Sequence, residues 1–150
     1  MSNMVQVSQK DLIPLMEEVL KEGKKVRFTV SGNSMWPWLI HQRDSVLLEG
    51  LENKKLKKGD IILFQAYKNH YVLHRITRKV RGGYITTGDG NLTRDGFVPE
   101  DKVIGKAVAL YRKNTEILCG QWKWRIVSWF WMAGFPIRKH LAKLIVFWKK

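Results

Sequence analysis

A mainly β body, with one helix before it and amphipathic helices after it, is the fold class this 150-residue sequence predicts. Three observations predict it. Short apolar or alternating runs recur from residue 25 to 111, with Gly, Asn and Asp turns between them. The first twenty residues instead carry apolar side chains at helical spacing. From Gln121 onward the chain changes in kind, to tryptophan-rich helical faces without a single acid. A hydrophobic share of 45% with 27% charged residues describes a globular chain and excludes a disordered one. The length suits one domain body.

Residues 8–22 read as a helix. Ser8 is its N-cap, and Leu12, Leu15, Met16, Val19 and Leu20 form its apolar face. Gly23 is its C-terminal stop. Pro14 sits too deep for a first turn, which predicts a start later than Ser8. Strands follow at 26–30, 45–48, 60–65, 71–78, 83–87 and 103–111. Arg81-Gly82-Gly83 marks a hairpin. This spacing favours a closed or nearly closed all-β body. In the tail, Trp122, Ile126, Trp129, Phe130 and Ala133 share one helical face. Gly134 and Pro136 break the segment. Ile137, Leu141, Leu144, Ile145 and Trp148 form a second face. The expected divisions are 1–24, 25–120 and 121–150, with no internal repeat.

The formal charge of +14 suits nucleic acid, anionic lipid or acidic partners. Its placement narrows the choice. Residues 121–150 hold seven Lys or Arg, no Asp or Glu, and five of the seven tryptophans. Aromatics at helical apolar spacing beside basic residues fit an in-plane membrane anchor. The alternatives are packing on the β body and single-strand nucleic-acid binding. The aromatics do not lie along a β surface, so no nucleic acid is expected. No apolar run reaches the roughly 20 residues of a spanning helix. The polar N-terminus carries no secretory signal core, which favours the cytoplasmic side. The lone Cys119 excludes an internal disulfide and a cysteine-rich zinc site.

Chemistry concentrates in three places. Ser34 lies in Ser31-Gly32-Asn33-Ser34-Met35-Trp36-Pro37, directly after an apolar strand. Gly32 tolerates the dihedrals that would present its hydroxyl. A serine hydroxyl needs an adjacent base to become a nucleophile. His74 stands inside the strand Tyr71-Val72-Leu73-His74-Arg75-Ile76, whereas His41 and His140 sit in basic polar contexts and His70 in a turn. On a strand His70 and His74 would lie about 13 Å apart, too far to share a metal. The carboxylate that would orient an imidazole is Asp89 or Asp95, in Gly88-Asp89-Gly90-Asn91-Leu92-Thr93-Arg94-Asp95. The same run partly mimics a calcium loop, but Arg94 stands where that loop needs glycine. No metal and no cofactor are expected.

Together these residues resemble the type I signal peptidase family over residues 28–110. Val30 to Pro37 resembles its nucleophile box, Lys58-Gly59-Asp60-Ile61-Ile62-Leu63-Phe64 its Gly-Asp-Ile-Val strand, His74-Arg75-Ile76 its base box, and Thr87-Gly88-Asp89-Gly90-Asn91 with Asp95 its acidic box. Most bacterial members and the related self-cleaving repressors place lysine at the base position. His74 instead resembles the Ser-His-Asp branch of endoplasmic-reticulum and archaeal members, and Lys79 lies five residues off that position. The resemblance implies a signal-peptidase-like β body with Ser34 as nucleophile, His74 as base and Asp95 as its partner. It also implies that Asp89 supports the loop and that Met35 lies near the substrate pockets. The Ser34 amide would serve the oxyanion, and Gly32 stands where some members supply a serine donor. The chain departs from the family's usual pattern in having no N-terminal membrane anchor, in the bulk of Trp36-Pro37-Trp38, and in Gly96-Phe97 after Asp95. The function expected is a membrane-associated serine endopeptidase acting on signal or leader segments of precursor peptides, bound to the membrane peripherally or monotopically through residues 121–150. The alternative is an inactive peptide- or membrane-binding module on the same fold.

Overall fold

The structure is a computed structural model that describes residues 9–52 and 54–148. It is mainly β, as the sequence predicts. Helix α1 (Gln9–Lys21) precedes strands β1 (Val26–Thr29), β2 (Ser45–Glu49), β3 (Ile61–Tyr67), β4 (His70–Val80), β5 (Gly83–Thr87) and β6 (Phe97–Pro99). A single 3-10 turn (Glu100–Lys102) leads into β7 (Val103–Arg112) and β8 (Thr115–Leu118), and helices α2 (Trp122–Ala133) and α3 (Phe135–Trp148) follow.

The strands form one antiparallel sheet in the order β1-β2-β7-β3-β4-β5-β6. Its path is open, because β1 and β6 end it without pairing to each other among the described residues. The expected closure is replaced by branching at β7. One edge of β7 pairs with β2; the other pairs first with β3 and then with β8.

Strand β3 explains how the body holds two cores. Ile61 and Leu63 point into a cluster with Ile13, Met16, Leu20, Leu39, Val46 and Leu110. Ile62 and Phe64 point the other way, among Leu56, Ile76, Tyr84, Val98 and Val103. A strand covered on both faces reads as a continuous apolar run, and Ile61-Ile62-Leu63-Phe64 does so.

Helix α1 caps the first core through Ile13, Met16 and Leu20, while Leu15 faces outward. The helix runs through Pro14, so its start is not displaced past the proline. Pro14 is exposed, and burial of Ile13, Met16 and Leu20 outweighs one lost hydrogen bond. Ser8 lies outside the described residues. Gly23 ends the helix with φ +81°, a conformation that favours glycine.

Two strands escape the sequence pattern. Strand β6 is short and contains Pro99, which argues against a strand. Strand β8 is a four-residue return after a turn at Lys113, whose φ is +53°. The turn before β4 is Lys68-Asn69, and His70 opens the strand rather than belonging to the turn.

In the tail, Gly134 separates α2 from α3, but Pro136 does not break the segment. It is the second residue of α3, in the first turn, where a missing amide leaves no bond unmade. Trp124 and Ser128 of α2 are buried against the body. The opposite face is not: Trp122, Trp129 and Phe130 are 67%, 58% and 65% exposed. Ile126, Ile137 and Leu141 are exposed with them.

Candidate active site

The loop that carries Ser34 is fixed from several sides. The Val30 amide donates to the Asp44 carbonyl and the Gln42 amide to the Val30 carbonyl, closing the loop's ends. Within it, the Trp36 amide donates to the Asn33 carbonyl, and the Trp38 and Leu39 amides both donate to the Met35 carbonyl. Leu39 and Met35 are buried below it. Met35 is only 4% exposed and belongs to the first core. Its side chain therefore anchors the loop from beneath. Gly32 has φ +87°, and its amide donates to His41 Nδ1 at 2.7 Å. His41 thus braces the serine loop, a role its basic surroundings gave no sign of. Ser34 itself is half-buried, and its hydroxyl makes no hydrogen bond among the described residues.

His74 is buried in β4 with Asp95 as its partner. Its Nδ1 lies 2.5 Å from Asp95 Oδ2. An ionised carboxylate only accepts, so Nδ1 carries the proton and Nε2 is left as the basic nitrogen. Thr86 Oγ1 donates to the same carboxylate oxygen at 2.7 Å, and the Asp95 amide donates to the Thr86 carbonyl. The Phe64 ring meets the imidazole edge-on at 6.2 Å. Burial works to raise the Asp95 carboxyl, but the hydrogen bonds from His74 and Thr86 and the His74 charge outweigh it, and its pKa is lowered.

Asp89 does something different. It bonds the fully buried Arg75, which points away from His74 on the other face of β4. Arg75 Nε donates to Asp89 Oδ1 at 2.8 Å and Arg75 NH2 to Asp89 Oδ2 at 2.7 Å. Arg75 NH1 donates to the Gly59 carbonyl and to Ser128 Oγ. The Asp89 main-chain carbonyl accepts from Trp131 Nε1 at 3.2 Å and from Arg138 NH1 at 2.8 Å. Lys79 lies away from the His74–Asp95 pair, its Nζ donating to the Leu56 carbonyl.

Two glycines let the acidic loop meet the serine loop. The register that pairs Arg75 with Thr87 puts Gly88, one step on, beside His74 and on its face of the sheet. A Cβ on Gly88 would stand 2.5 Å from the Ser34 carbonyl oxygen. The Gly90 amide donates to that same oxygen at 2.9 Å. A Cβ on Gly90 would press on the Asn33 and Trp36 carbonyl oxygens at 3.0 Å. The Ser34 backbone is thereby tied to the loop that carries Asp89 and Asp95, although no hydrogen bond joins Ser34 to His74 among the described residues.

A cavity of about 590 Å³ opens beside the pair, lined by His74, Asp95, Phe64, Val72, Phe97 and Lys102. A second, of about 300 Å³, lies under α2 against Ile61, Cys119 and Trp124. The first adjoins the groups able to move a proton. Ser34 lines neither cavity, and His74 lines only the first. In the second, burial pushes the Cys119 thiol up to about 11, which favours its protonated form.

Two predictions follow from this geometry. Gly88→Ala should displace the Ser34 backbone and destabilise the fold by about 1–3 kcal/mol, read by urea unfolding. An unchanged midpoint would mean that the two loops are not packed as described. For Asp95, a lowered folded pKa means a stabilising contribution present above its ordinary value of 3.8 and lost as pH falls through the folded value. Asp95→Asn should therefore be less stable than wild type at neutral pH, with the gap closing below pH 3.8 in a series of unfolding curves.

The Peptidase S24-like family model matches residues 2–108, and the tail helices lie beyond the match. No curated protein matches the chain. The match spans well over half of the sequence, so the chain belongs to the Peptidase S24-like family, a serine-peptidase-type fold related to self-cleaving repressors and signal peptidases.

Proposed function

We propose that this chain is a membrane-associated serine endopeptidase that cleaves signal or leader segments of precursor peptides, in the manner of the Ser-His-Asp signal peptidases. The observation that carries the reading is the buried His74–Asp95 pair beside an open cavity, with the Ser34 loop tied through Gly88 and Gly90 to the loop that supplies Asp95. In this mechanism Ser34 Oγ attacks the peptide carbonyl while His74 Nε2 takes its proton. Asp95 holds the imidazole in that tautomer and balances the imidazolium. The Ser34 amide, which donates to no group among the described residues, stabilises the oxyanion. His74 then protonates the leaving amine, and water, deprotonated in turn by His74, hydrolyses the acyl-enzyme. The substrate is a precursor peptide or protein, and no cofactor enters the scheme.

The membrane half of the reading rests on the tail. No described helix is long and apolar enough to cross a membrane. The apolar face of Trp122, Ile126, Trp129 and Phe130 is exposed, with Lys123 and Arg125 on the same helix. Aromatic side chains at the interface and cations at anionic headgroups give that surface a lipid partner. The binding-module reading is favoured by one observation, the missing hydrogen bond from Ser34 to His74. Catalytic hydrogen bonds often tighten only with substrate present, so the peptidase reading stands ahead of it.

An acylating serine-directed probe, applied in liposomes and followed by mass spectrometry, separates the two. The adduct should fall on Ser34, vanish in Ser34→Ala, and form about 10²–10⁴-fold more slowly in His74→Ala. A folded wild type that no probe labels would decide for the binding module. Separately, Trp129→Ser with Phe130→Ser should weaken sedimentation with anionic phosphatidylglycerol vesicles by at least about tenfold. Unchanged sedimentation of the double variant would remove this face as the membrane contact.

A further inference from the structure

The tail helices meet the acidic loop at Arg94, whose guanidinium lies 5.5 Å over the Phe135 ring, and at Asp89, whose neighbours Gly88 and Gly90 meet the Ser34 carbonyl. Trp131 Nε1 and Arg138 NH1 both donate to the Asp89 main-chain carbonyl. One position on, the Gly90 amide donates to the Ser34 carbonyl at 2.9 Å. One position back, Gly88 packs its bare Cα against the same oxygen. Arg138 is itself held, its NH2 donating to the Trp131 carbonyl at 3.0 Å and its guanidinium lying 3.9 Å over the Trp131 ring. The Trp131 ring in turn meets Trp38, on the far side of the serine loop, edge-on at 5.6 Å. Thus α2 and α3 grip the serine loop from both ends, at Trp38 and through Asp89. Nothing in the match to residues 2–108 includes these helices.

We propose that Trp131 and Arg138 are positioning residues for the nucleophile: they fix the Asp89 carbonyl, and through residues 88–90 they set where Ser34 stands relative to His74. The inference rests on the acyl-enzyme reading and adds to it that the tail is part of the working site as well as a surface for lipid. Neither side chain meets the substrate. Their effect travels through two short hydrogen-bonded steps, and small displacements of a reacting group are enough to slow chemistry by orders of magnitude.

Four variants test it. Arg138→Met removes the donor, and Arg138→Lys keeps one. Trp131→Phe removes the indole N–H along with part of the ring but keeps an aromatic ring facing Trp38, so it serves if the methionine variant fails to fold. Lys139→Met, at an exposed site on α3, is the control. The first readout is the rate of Ser34 acylation by a small serine-directed probe, whose size leaves an extended substrate site unused. The second is hydrogen exchange at the Gly90 amide, which needs no activity. Arg138→Met should slow acylation by about tenfold and speed Gly90 exchange by a similar factor. Trp131→Phe should move both in the same direction, Arg138→Lys should recover most of the loss, and Lys139→Met should match wild type. Cleavage of a peptide substrate by the same variants should fall in kcat with KM held.

Wild-type acylation and exchange in folded Arg138→Met and Trp131→Phe would overturn the proposal. So would equal losses in Arg138→Lys and Arg138→Met, since the loss would then not follow the donor to the Asp89 carbonyl. If wild-type Ser34 does not label at all, the peptidase reading fails. Gly90 exchange then still decides whether the tail holds the loop: faster exchange in Arg138→Met supports that link, and unchanged exchange overturns it.

Discussion

The ion pair between Arg75 and Asp89 is the constraint from which the site's geometry follows. Arg75 is 0% exposed and Asp89 4%. Two charges removed this far from water are stabilising only if their geometry and remaining hydrogen bonds are good. Here they are. The guanidinium meets the carboxylate through both Nε and NH2, and its NH1 is satisfied by Gly59 and Ser128. Breaking such a pair from one side leaves an uncompensated charge, at about 3–5 kcal/mol. Replacing it whole by apolar side chains is often neutral or better, so stability alone does not account for it. What the pair provides is position. It ties strand β4 to the acidic loop, to the turn before β3 and to helix α2 at a single side chain.

Strand alternation turns that scaffold into a site. Neighbouring residues of a strand point to opposite faces. Arg75 therefore builds the structural side of β4 while His74, one residue earlier, faces the other side with Asp95. The loop of residues 88–95 serves both faces. Asp89 turns toward Arg75, and Asp95 returns to pair with His74 and Thr86. The two carboxylates are six residues apart and have separate partners, which is why one run of Gly, Asp and Asn supports two distinct jobs. Glycine at 88 and 90 is required for a third reason, the close approach of the Ser34 loop.

Much of this was legible in the sequence because it is local. The apolar run of β3, the alternation of β5 and the glycine stop of α1 are decided by residues within a few positions. Ser34, His74 and Asp95 each stand in a short context that can be read alone. What could not be read depends on partners far along the chain. Arg75 meets Ser128 across 53 residues, and Arg138 meets Asp89 across 49. No spacing rule connects them. Met35 shows how far side-chain direction departs from sequence adjacency. Adjacency in a tight turn sends neighbouring side chains in different directions, and Met35, beside the half-buried Ser34, turns into the core. Likewise β6 was hidden by Pro99, which is tolerated because the strand is short and pairs only with β5 among the described residues.

Helix α2 shows why the tail resisted assignment from periodicity. A helix with one apolar stripe has one buried face. This helix is apolar nearly all round, which by itself would suggest complete burial. The structure divides it. Trp124, Ser128 and Trp131 recur at intervals of four and three and face the body, where Ser128 and Trp131 make hydrogen bonds and Trp124 packs edge-on against Trp38. Trp122, Ile126, Trp129 and Phe130 form the other stripe and are left exposed. The inward stripe is partly polar because its partners are a buried arginine and a main-chain carbonyl. The outward stripe is apolar and borders Lys123 and Arg125. A helix built in this way has two surfaces with different demands. One must match Arg75 and Asp89 to within hydrogen-bond distance, and the other makes no such directional contact, so the same twelve residues are specified closely on one side and loosely on the other.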